Sequence, residues 1–149
     1  MKSHYDRRTP TCDRRTFLRV GGPTLAAVTT VGIAGCLRGE SGSTRTVEMT
    51  ADLGFEPETA TVEAGTTVRW TNESDVKHTV TAYENRIPDG AAYFASGGFD
   101  SEQAARANLS EGLLAEGEAY EHAFEQSGTY EYYCIPHEGS GMVGTVRVE

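Results

Sequence analysis

Cysteine is scarce in this chain, and its placement excludes a disulfide scaffold. Cys12, Cys36 and Cys134 are too few and too widely spaced for a paired framework. Stability must therefore come from an apolar core, which a chain of 149 residues is long enough to build as one domain with a leader. Lysine is scarcer still, with only Lys2 and Lys77. Strongly apolar runs are missing too. Residues 20–35 come nearest, but Gly, Thr and Pro23 interrupt them, and the run falls short of the roughly 18–20 apolar residues that a membrane-spanning helix needs.

Positive charge is concentrated where the mature domain does not keep it. The chain has 13 basic and 22 acidic residues, and residues 1–35 hold 6 and 2 of these, leaving 7 against 20 and a net charge of −13 with histidine neutral. Such a domain has almost nothing with which to neutralise phosphates, so nucleic acid is excluded as a partner. An acidic, lysine-poor surface suits a salt-rich medium. There the Debye length falls to about 3 Å, and long-range steering of a basic partner is largely screened.

The first 35 residues are best explained as an address. Arg14 and Arg15 precede Phe17 and Leu18, and the weakly apolar run follows, the pattern of a twin-arginine export signal. The run ends in Ile33-Ala34-Gly35-Cys36, small residues before a cysteine, which resembles a lipoprotein processing site; simple cleavage without a lipid is the alternative. A lipidated Cys36 would carry two chains, enough for stable anchoring at the outer face of the membrane. Residues 36–45 comprise Cys36 and a flexible tether, Leu37 to Arg45, whose Gly39, Ser41, Gly42 and Ser43 keep it loose and which reaches about 30 Å at full extension. Residues 46–149 remain as the domain.

Within that domain the informative stretch is Tyr132-Tyr133-Cys134-Ile135-Pro136-His137-Glu138-Gly139-Ser140-Gly141-Met142. It puts a thiolate, an imidazole and a thioether into one loop, with Pro136 to fix a turn and glycines to let it bend. Cys and Met are soft donors and His is intermediate, a set that favours copper over magnesium, calcium or manganese. His78, ahead of the apolar Val80, is the best candidate for the second imidazole. His78, Cys134 and His137 would then form a trigonal set with Met142 as a weak axial ligand, the pattern of an electron-transfer copper centre. Taken singly, each of these residues could equally be a buried thiol, a loop histidine or core filler. His122 has no donor nearby in sequence and is expected to be a surface histidine outside the site.

Short stretches of alternating polarity predict strands at 46–51, 59–63, 66–72, 79–83, 119–124, 129–133 and 144–148. Ala64-Gly65 suggests a hairpin between the second and third, with Val68 and Trp70 on one face. Regular short strands argue for an all-β sandwich. Between residues 84 and 118 the alternation lapses into a long crossover. It should contain one short helix near 101–109, capped by Ser101 or Asp100. Tyr93, Phe94 and Phe99 either cover an open end of the sandwich or flank the metal site.

These residues also support a family resemblance. Cys134, His137 and Met142, preceded by Tyr130-Glu131-Tyr132-Tyr133 and joined by His78, resemble the small blue-copper proteins of the plastocyanin type, most closely the halocyanins of extreme halophiles. The likeness spans about residues 46–149. It implies a cupredoxin-like Greek-key β-sandwich that carries one electron at a time, without catalysis, between redox protein partners. A backbone amide and either Thr79 or Asn72 are implied as supports for the ligands. A monomer is expected, since carriers dock through small transient interfaces, with His137 as the exit at the loop tip and Glu138 as a charge beside it. A copper carrier or storage protein could use the same donors. That role favours an open, Met-rich site, and only Met49 and Met142 lie beyond residue 35.

Overall fold

The computed structural model describes residues 42–149; the export signal expected at 1–35, Cys36 and most of the expected tether lie outside the described residues. Strand β1 (Thr44–Met49) begins two residues earlier than expected and buries Val47 and Met49. It is followed by β2 (Phe55–Glu56), β3 (Thr59–Val62), β4 (Thr66–Asn72) and β5 (Thr81–Ala82). Helices α1 (Glu102–Ala107) and α2 (Leu109–Gly112) occupy the crossover, and β6 (Ala119–Phe124), β7 (Gly128–Tyr133) and β8 (Val143–Val148) complete the chain.

The strands form two four-stranded sheets in the orders β2-β1-β4-β6 and β3-β8-β7-β5. Period-two side chains explain why they face each other. β4 turns Thr66, Val68, Trp70 and Asn72 to the interior, while β7 contributes Tyr130 and Tyr132, and β8 contributes Val146 and Val148. Trp70 lies at the centre. Phe94 and Tyr120 stack on it with ring centroids 5.7 and 5.8 Å away, and Tyr132 meets it edge-on at 5.3 Å. The expected all-β sandwich is therefore present, with Phe94 in its core.

Three local expectations change. β3 and β4 are not a hairpin: β3 pairs in parallel with β8, while β4 pairs in parallel with β1 and antiparallel with β6. Ala64-Gly65 instead carries the chain from one sheet to the other. Alternation shows which side chains point inward, but not which strand takes the backbone hydrogen bonds. The strand expected at 79–83 shrinks to Thr81–Ala82 because the preceding amides are used elsewhere. Thr79 N–H donates to Cys134 Sγ at 3.3 Å and Val80 N–H to Ser96 Oγ at 3.0 Å. The crossover opens on a 3-10 turn at Glu84–Arg86 and holds two short α-helices rather than one. Ser101 does cap the first, accepting from Ala104 N–H at 3.2 Å.

Candidate metal centre

One end of the sandwich gathers the donor side chains, and buried polar groups fix the first of them. Asn72, at the end of β4, is fully buried. Its Oδ1 accepts from the backbone N–H and the hydroxyl of Ser74, both at 2.9 Å. Its Nδ2 donates to the carbonyls of Val76 at 2.7 Å and Leu114 at 3.0 Å. All four hydrogen-bonding positions of the amide are thereby used, folding residues 72–78 into a compact turn. His78 follows, held by reciprocal backbone bonds with Leu114 of 3.2 and 2.8 Å. Ser74 Oγ lies 3.0 Å from His78 Nε2. With the hydroxyl hydrogen directed to Asn72, its lone pair receives Nε2–H, which leaves the Nδ1 lone pair of His78 bare.

Cys134 leaves the end of β7, and its backbone N–H donates to the Met142 carbonyl at 3.0 Å. The 3-10 turn Ile135–Ser140 then reverses the chain. Gly141 closes it at φ 88°, a left-handed conformation that favours glycine, and its N–H donates back to the Glu138 carbonyl at 3.0 Å. Met142 N–H returns to the His137 carbonyl at 3.2 Å, and the Met142 side chain is fully buried. Thr79 serves this loop twice: its N–H reaches the Cys134 sulfur, and its hydroxyl accepts from Ile135 N–H at 2.8 Å.

The result is a triangle of donor atoms. His78 Nδ1 and His137 Nδ1 are 3.2 Å apart, and Cys134 Sγ lies 3.8 Å from the first and 3.3 Å from the second. A point equidistant from all three sits about 2.0 Å from each, close to the bond length of a first-row divalent ion to imidazole nitrogen. A bare nitrogen lone pair facing a second nitrogen and a sulfur at these distances is arranged for a cation. Burial, reinforced by the neighbouring His137, holds the His78 pKa below its ordinary value and keeps the ring neutral. Burial pushes the Cys134 thiol up, despite the Thr79 hydrogen bonds, so a bound metal must drive the proton off.

His78 and Cys134 are fully buried, whereas His137 is only half-buried. His122 takes no part in the cluster. Nor is it a surface histidine: it is half-buried on β6, stacked on Phe94 at 4.9 Å and edge-on to Phe124 at 4.9 Å. The charge expected at Glu138 is paired, with Arg106 of α1 lying 3.0 Å from its carboxylate. Residue type alone does not mark Ser74 and Leu114 as parts of the site. The spacing Asn72-Glu73-Ser74 was the one available signal, since Asn side chains commonly cap their own backbone two residues on.

A two-sheet sandwich with two imidazoles and a buried thiol converging at one end defines a cupredoxin. The chain belongs to the family "Copper binding proteins, plastocyanin/azurin family", which matches residues 43–149. It is similar to the plastocyanin of Scenedesmus fuscus, 37% identical over 107 residues that cover 70% of this chain and 98% of that one. It is likewise similar to the chloroplastic plastocyanin of Tetradesmus obliquus, 35% identical over 84% of this chain and 81% of that one. Among solved structures, oxidized plastocyanin from Dryopteris crassirhizoma matches with a TM-score of 0.51 and 26% identity, covering 70% of this chain and 100% of that one. A reduced amicyanin variant shares the fold, with a TM-score of 0.52 and 24% identity over 73% of this chain and 84% of that one.

Proposed function

We propose that this protein is a one-electron carrier whose copper ion is held by His78, Cys134 and His137, with Met142 as the weak axial ligand. The triangle of Nδ1, Sγ and Nδ1 atoms carries this reading. Copper, when bound, cycles between Cu(I) and Cu(II) and takes its intense colour from the thiolate bond. The protein's own task is to keep the donors still. Asn72 and Ser74 fix the plane of His78, while Thr79 holds both the sulfur and the amide that follows it. Nearly fixed donors keep the rearrangement between oxidation states small, so electrons pass quickly. His137, the least buried of the three, is the exit to a redox partner. A storage or delivery role is less well supported, because His78 and Cys134 are fully enclosed. Titration of the metal-free protein should end at one copper per chain and yield a reversible one-electron couple. Uptake of two or more ions, or no couple, would argue against the carrier.

The same proposal extends to the address. Twin arginines at 14 and 15 direct export, and a lipidated Cys36 holds the domain at the outer face of the membrane as a monomeric, halocyanin-like carrier. The acidic, lysine-poor composition supports a salt-rich setting. Cys36→Ser should move the protein from the membrane fraction to the soluble exported fraction with its colour intact. Continued sedimentation with membranes would rule out the lipid.

A further inference from the structure

The ligand loop is anchored to the crossover by one side chain. Among the hydrogen bonds of the described residues, Glu138 supplies those that tie a loop side chain to α1 and to the segment before it. Arg106 makes a forked contact with its carboxylate, Nη1 to Oε2 at 3.0 Å and Nη2 to Oε1 at 3.3 Å. Tyr83 Oη donates to the same Oε1 at 2.9 Å.

Arg106 also reaches the other flank of the site. Its Nε and Nη2 donate to Glu102 Oε1 at 3.1 and 2.9 Å, and Tyr133 Oη donates to that oxygen at 3.0 Å. The guanidinium carbon lies 4.5 Å from the centroid of the Tyr133 ring. Tyr133 in turn stacks on Tyr83 at 4.2 Å, and Arg86 caps the far side of Tyr83 at 4.5 Å. The side chain next to Cys134 and the side chain next to His137 are thus held by one guanidinium.

A lone exposed ion pair would position nothing, because it contributes little and is readily screened. Arg86–Glu131 is of that kind, with both side chains about half exposed. The Arg106 cluster differs: Arg106 and Glu138 are 40% and 34% exposed, but Glu102 is only 20% exposed, the Arg106–Glu138 contact is bidentate, and each oxygen of Glu138 has a donor.

We propose that Arg106 is a positioning residue for the metal loop, clamping the His137 turn through Glu138 and the Cys134 flank through Tyr133. This rests on residues 134–142 being the metal loop. A lysine keeps the charge but loses the fork, so it should hold the loop less well.

The test compares Arg106→Gln, Arg106→Lys and the remote control Arg69→Gln. In the metal-free proteins, the amides of His137, Gly141 and Met142 should exchange with solvent about five- to tenfold faster in Arg106→Gln than in the parent. Arg106→Lys should fall between, and Arg69→Gln should match the parent. After copper loading, the electron paramagnetic resonance lines of Arg106→Gln should broaden as the ligand geometry spreads, with partial recovery in Arg106→Lys. Parent-like loop exchange in both Arg106 variants, acceleration confined to residues 102–107, or lines of parental width would each overturn the clamp. If the parent itself gives no copper signal, the copper assignment fails instead, and the metal-free exchange still decides the clamp.

Discussion

At the scale of single residues, the site separates atoms that donate from atoms that orient. His78 shows the division most clearly. Its Nδ1 faces the triangle, while Ser74 holds Nε2 and Asn72 holds Ser74. The donors could be read from the sequence because copper chemistry restricts them to a few residue types at loop spacing. Ser74 and Arg106 could not, since a serine in a turn and an arginine on a short helix have many uses, and only three-dimensional contact selects one. Met142 is the donor whose role is most easily isolated. A thioether favours Cu(II) weakly, so Met142→Leu should raise the reduction potential while the protein stays blue. Cyclic voltammetry with an absorption spectrum checks this, and a lowered or unchanged potential would remove Met142 from the ligand set.

At the scale of elements, the ligand loop is placed by how closely β7 and β8 approach. Gly144 faces Tyr132 across the ladder. A Cβ there would come within 2.5 Å of the Tyr132 Cζ and Oη atoms, and that ring is fully buried against Phe55 and Trp70. Gly144→Ala should therefore cost about 1–3 kcal/mol, the usual range for overpacking a core, seen as a lowered urea midpoint. An unchanged midpoint would mean that the two strands can part freely. Strand positions were legible from alternation, and β6 and β4 fall where expected. Pairing was not. The β1–β4 and β3–β8 contacts are parallel and join distant segments, and nothing in local polarity distinguishes them from hairpins. β5 was overestimated for a functional reason, because its leading amides serve the Cys134 sulfur and Ser96.

At the scale of the whole molecule, histidine burial makes the metal-free protein sensitive to acid. Burial between Phe94 and Phe124 lowers the His122 pKa below its ordinary 6.5, and burial does the same to His78. Such a group takes up its proton more readily when unfolded. Its contribution is therefore fully retained above pH 6.5 and is lost as pH falls from there towards the folded pKa. The urea midpoint of metal-free protein should decline over that window, and His122→Phe should flatten the decline; an identical slope in the variant would contradict it. The carrier reading depends most directly on the thiolate. The measurement is the visible absorption spectrum of parent and Cys134→Ser after equal copper loading. The account predicts an intense blue band in the parent and its complete loss in Cys134→Ser even where copper remains bound, because a hydroxyl oxygen cannot reproduce the copper–thiolate charge transfer. A variant that stays blue would contradict the assignment of the site.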